Sequence, residues 1–93
     1  MEKKLEFYMT DALAADMEAD KDFANTIGLI IFRFTCNDWG LMHRQEHVAN
    51  MQALKEGGQV IGRYPTNKGY VLAITDDTLA NPRVTTILYE TEK

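Results

Sequence analysis

His43-Arg44-Gln45-Glu46-His47 is the segment whose residue types and spacing come nearest to a chemical motif. Two histidines at i and i+4 on a helix share a face and can hold zinc, and H-x-x-E-H matches the inverted zincin pattern. A catalytic zinc takes three protein ligands and a water. Candidate third ligands lie downstream at Asp76, Asp77, Glu90 and Glu92, and none sits in a helical pattern. A chain of 93 residues is also far shorter than an enzyme of that type. The expectation is no metal, with His43 and His47 starting a solvent-facing helix and pairing loosely with nearby acids.

Other chemistry is thinner still. No serine occurs, so a serine nucleophile is excluded. Gly57-Gly58 reads as a helix stop and does not precede a helix, which argues against a phosphate cradle. Cys36 is the single cysteine. It rules out a disulfide within the chain, fits a reducing compartment such as the cytoplasm, and is expected to be buried at the end of a strand. No catalytic residue and no cofactor are expected. A polar set remains as a candidate binding site: Asp38, Trp39, Asn50, Tyr64, Thr75, Asp76, Thr85 and Thr86. Thr75 and Thr85 are expected to approach each other if their strands are adjacent.

These residues need elements to position them. Residues 5–9 read as a short strand with Leu5, Phe7 and Met9 on one side. Thr10 then suits a helix N-cap, with Asp11 in the first turn. One helix is expected over residues 11–24, with Leu13 and Met17 on its apolar face and Ala12, Ala15, Ala19 and Phe23 adjoining. Asn25-Thr26 should break it. Residues 27–36 then read as a strand, with Ile30, Phe32, Phe34 and Cys36 alternating against Leu29, Ile31, Arg33 and Thr35. Residues 37–40, Asn-Asp-Trp-Gly, turn the chain and bring in the only tryptophan, with Asp38 a possible cap. A second helix is expected over residues 42–56, with Val48, Met51 and Leu54 facing inward and Gly57-Gly58 ending it. Three strands follow, at residues 59–64, 70–75 and 83–90, and Gly69 takes the positive-φ position of the hairpin. The expected fold is one α+β domain over residues 1–93. It has a mainly antiparallel sheet of four or five strands and two helices packed on one face, in the order β-α-β-α-β-β-β.

Net charge is −4. Residues 1–26 hold three lysines against seven acids, while the rest of the chain balances, so the excess lies near the N-terminus. Asp11, Asp16, Glu18, Asp20 and Asp22 form an acidic face on the first helix. A charge run of this kind is ordinarily just solvated; its sharper meaning is a surface that meets a basic partner. No basic patch occurs, so direct nucleic-acid binding is not expected. No apolar run approaches the ~20 residues that span a bilayer, and residues 1–6 do not read as an export signal.

Several short motifs occur in order: Thr10-Asp11-Ala12-Leu13, Asp38-Trp39-Gly40, Asn50, Ala53-Leu54, Gly57-Gly58, Tyr64, Ile74-Thr75-Asp76-Asp77 and Val84-Thr85-Thr86-Ile87-Leu88. Together they resemble a family of small proteins carried by bacterial plasmids, integrative elements and phages. The family pattern has Gly-Asp-Trp-Gly where this chain has Asn37-Asp38-Trp39-Gly40. Its stretch before Asn50 is usually acidic, whereas His43 and His47 stand there in this chain. Its closing Glu-Tyr is replaced by Glu90-Thr91-Glu92. The resemblance implies a setting and no reaction: cargo of a mobile element.

In that setting the leading expectation is a non-catalytic inhibitor of a host defence protein, such as an anti-CRISPR that engages a CRISPR nuclease by protein–protein contact. The alternatives are a domain that sequesters a small molecule or nucleotide, with Trp39 and Tyr64 as stacking faces, and a homodimeric accessory protein using a strand edge.

Overall fold

The computed structural model describes residues 4–93. In chain order the elements are β1 (Leu5–Met9), α1 (Asp11–Ala19), α2 (Lys21–Thr35), α3 (Arg44–Glu56), β2 (Val60–Thr66), β3 (Gly69–Thr75) and β4 (Arg83–Tyr89). A 3-10 turn, Glu90–Glu92, follows β4. The fold is α+β, with three α-helices and four strands among the described residues rather than two helices and up to five strands. The sheet runs β1-β4-β3-β2. β2, β3 and β4 form an antiparallel meander, while β1 pairs with β4 in parallel, so the sheet is mixed.

The principal correction concerns residues 27–36. Residues 27–35 continue a 15-residue helix, α2, with Cys36 at its C-cap, and are not a strand. Ile27, Ile30 and Phe34 are buried at helical spacing, whereas Leu29 and Phe32 are 59% and 63% exposed. Strand alternation would have buried Phe32 with Ile30. The run is β-branched and aromatic, yet its apolar residues also fit a 3.6-residue period, and packing against the sheet selects that period. The helix break falls at Asp20, not at Asn25-Thr26. Asp20 ends α1, and its carboxylate accepts from the N–H groups of Asp22 and Phe23 to start α2. Of the residues expected on the first helix's apolar side, Leu13 is buried and Met17 half-buried. Ala12, Ala15 and Ala19 face solvent.

Cys36 is exposed because it lies just past the C-terminus of α2 and not at the end of a buried strand. α3 starts at Arg44, with His43 as its cap and Met42 outside it. Its inward residues are Asn50, Ala53 and Leu54. Leu54 faces inward as expected, whereas Val48 and Met51 point to solvent and Asn50 and Ala53 take their inward places. The three meander strands occur within two residues of the expected bounds, and the Thr10 cap and the positive φ of Gly69 are as expected.

Strand alternation divides the sheet into two faces. Val60, Tyr64, Val71, Ala73 and Ile87 point into the core with residues from all three helices. The three α-helices pack on that core side, and the opposite face carries Tyr8, Ile61, Tyr70, Leu72, Ile74, Val84 and Leu88 together with Glu6, Arg63 and Thr86. Tyr8, Tyr70 and Val84 are exposed there, and Ile61, Ile74 and Leu88 are half-buried.

Candidate functional site

One row of residues crosses all four strands on the core face. Phe7 is in register with Thr85, Thr85 with Thr75, and Thr75 with Val60. The two threonine hydroxyls share a 2.6 Å hydrogen bond and are buried. This row floors a small, partly open cleft with a cavity volume of about 60 Å³. Phe34 and Thr35 from the end of α2, Trp39 from the following turn and Leu54 from α3 form its roof. Arg83, two residues before Thr85 on the same strand face, closes one end beside Thr78. The Arg83 Nε and Nη2 groups donate to the Thr78 carbonyl at 3.1 and 2.7 Å, and the Thr78 hydroxyl donates to the Ala53 carbonyl at 2.6 Å.

The eight residues of the expected polar set divide three ways. Trp39, Thr75 and Thr85 meet in the cleft. Asp38, Asn50 and Tyr64 instead hold the helical layer to β2. Asp38 forms a two-point ion pair with Arg33, at 2.8 and 3.2 Å, and its carbonyl accepts from the buried Tyr64 hydroxyl at 2.7 Å. Asp38 therefore does not cap α3. The hydrogen bonds from Arg33 keep its carboxyl below the usual range. Burial pushes the Tyr64 phenol up, so it stays a donor. The Asn50 amide accepts from the Ile61 N–H at 3.2 Å and donates to the Ile61 carbonyl at 2.9 Å, imitating a neighbouring strand along the β2 edge. The backbone of Trp39 and Leu41 covers the same edge at Arg63. Asp76 and Thr86 join neither group: Asp76 lies outside, near Gln59, and Thr86 points to the open sheet face.

The acidic face is less uniform than its sequence. Asp16 accepts from the Tyr89 hydroxyl, and Asp20 caps α2 and faces Lys68 at 3.5 Å. The N–H of Phe23 is the main cause that holds the Asp20 carboxyl low. Asp11, Glu18 and Asp22 remain exposed. The two histidines also take structural positions. The His43 N–H is bonded by Glu46 at 3.0 Å, and the His47 ring meets Trp39 edge-on with centroids 5.1 Å apart. No cluster of three metal-ligating side chains occurs among the described residues, and no helix there is long and apolar enough to cross a membrane.

Phe7, Phe34, Thr78 and Arg83 are among the cleft residues that sequence reasoning missed. Arg83 carried one legible signal, since period-2 alternation sets it on the same face as Thr85. Phe34 was hidden by the strand assignment. Comparisons with protein-family models, with curated proteins and with solved structures return no match.

Proposed function

We propose that this chain is a non-catalytic binding protein that occupies the surface of a basic partner protein with the open face of its sheet. The observation that carries this reading is the cluster of exposed Tyr8, Tyr70 and Val84 beside half-buried Ile61, Ile74 and Leu88 on that face, with the Arg63–Glu90 ion pair lying against Tyr70. Exposed aromatic and aliphatic groups on a rigid sheet supply interface anchors. Charge defines the partner. The chain carries −4, and Arg33 and Arg63 are already held by Asp38 and Glu90. A basic protein surface complements it, and the motif resemblance supplies the setting: a host defence nuclease met by a mobile-element protein. Asp11, Glu18 and Asp22 lie in the helical layer, so their role is long-range steering and not contact.

The test is a pull-down and interference assay against a panel of defence nucleases, followed by kinetics on the partner recovered. Tyr8→Glu with Val84→Glu should speed dissociation at least about tenfold while leaving the fold intact by circular dichroism. Reversing Asp11, Glu18 and Asp22 to lysine should mainly slow association and flatten its salt dependence. Unimpaired interference across the panel with no partner captured would sink the proposal.

A further inference from the structure

The cleft joins an apolar wall to a cation that has no carboxylate partner among the described residues. Arg33, Arg63 and Lys68 make the ion pairs among the described residues; Arg83 makes none. A guanidinium has five N–H donors, and two of those on Arg83 go to the Thr78 carbonyl. The remainder make no hydrogen bond to another described residue. The Thr75–Thr85 pair is an independent second feature. One hydrogen bond joins the two hydroxyls, so one of their two protons is used and the other is left for an acceptor. Phe7, Phe34, Trp39 and Val60 enclose the space beside these donors.

We propose that this cleft binds a small organic monocarboxylate. Its carboxylate accepts from Arg83 and the threonine hydroxyls, and its short apolar body lies against Phe7, Phe34 and Trp39. Charge-assisted bonds from a guanidinium are the strong recognition element for a carboxylate, and the apolar wall fixes orientation. An inorganic anion would leave that wall wet. A neutral apolar molecule would leave the Arg83 donors unanswered. The cavity volume of about 60 Å³ limits the body to a few carbons. This site lies on the core face of the sheet, so it stands or falls separately from the partner surface on the open face.

Butyrate is the probe, with butyramide as its neutral counterpart and inorganic phosphate as the anion without an apolar body. Trp39 is the only tryptophan, so fluorescence reads the cleft directly, and two-dimensional amide NMR locates the response. Butyrate should give a saturable millimolar response centred on Phe7, Trp39, Thr75 and Thr85, with butyramide and phosphate at least about tenfold weaker. Arg83→Met should weaken butyrate binding about tenfold or more, and Arg83→Lys should recover part of it. If Arg83→Met fails to fold, the butyrate–butyramide comparison on the unaltered protein still decides. No saturable response, an equal response to butyramide, or full binding by a folded Arg83→Met variant would each overturn the proposal.

Discussion

The Tyr64 hydroxyl donates a 2.7 Å hydrogen bond to the backbone carbonyl of Asp38 and so ties the centre of β2 to the turn that leaves α2. The ring is fully buried, and two glycines make room for it. A Cβ at Gly62 would stand 2.6 Å from the Tyr64 oxygen, and one at Gly40 would stand 2.2 Å from the Arg63 carbonyl oxygen. Gly40 also has φ +74°, a conformation that suits glycine. Tyr64→Phe removes the bond and leaves the Asp38 carbonyl without this donor, which should cost about 1–3 kcal/mol in urea melts. Gly62→Ala should cost a similar amount, about 1–3 kcal/mol, by overpacking against the same ring. A neutral Tyr64→Phe would mean that the ring alone holds this join.

Asn50 satisfies both backbone groups of Ile61 at a sheet edge. Asn50→Leu keeps the approximate volume and loses both bonds. It should destabilise by about 2–4 kcal/mol and sharply raise amide exchange at Ile61. Met51→Ala, one residue on and facing solvent, should change stability by no more than about 0.5 kcal/mol. Equal effects at the two positions would contradict the edge-pairing role.

The Thr75–Thr85 bond calls for a double-mutant cycle. Either single valine variant leaves a buried hydroxyl without its partner and should cost about 1–3 kcal/mol. The double variant should cost clearly less than the two together, because no orphaned hydroxyl remains. Strict additivity would show that the pair contributes no coupling.

Acid should weaken the fold through Asp38 and Asp20. Both carboxyls are held below their ordinary value, Asp38 chiefly by Arg33 and Asp20 chiefly by the N–H of Phe23. A lowered folded-state pKa contributes stability that is complete above the unfolded-state value, about 3.9 for Asp. That stability is lost as pH falls through the folded-state pKa. Urea midpoints measured downward from pH 5 should therefore drop below about pH 4. Asp38→Asn should make the drop shallower, with a residual slope from Asp20. An unchanged slope in Asp38→Asn would remove the Arg33 pair from the account.

The helical state of residues 27–35 has its own test. Ile27→Ala and Ile30→Ala should each cost about 2–5 kcal/mol, while Leu29→Ser and Phe32→Ser should stay within about 0.5 kcal/mol. A strand would make Phe32 and Ile30 equivalent.

Local chemistry alone was enough for much of this chain. Thr10 caps a helix because its hydroxyl meets a free N–H in the first turn; Gly57 and Gly69 end and turn the chain because their backbones need positive φ. Period-2 alternation in the last three strands separates Thr75 and Thr85 from Thr86, and a hairpin meander makes the first two neighbours. Residues 27–35 resisted the same treatment. Ile, Leu and Phe in an unbroken run satisfy two periods at once, and only the sheet they pack against chooses between them. That choice also moved Phe34 into the cleft roof and Cys36 out to solvent. The joining of Phe7 to the row of Thr85, Thr75 and Val60, and of Leu5 to Arg83, follows from the parallel pairing of β1 with β4 across 78 residues of chain. No local preference encodes a contact at that separation, so tertiary packing alone decided it.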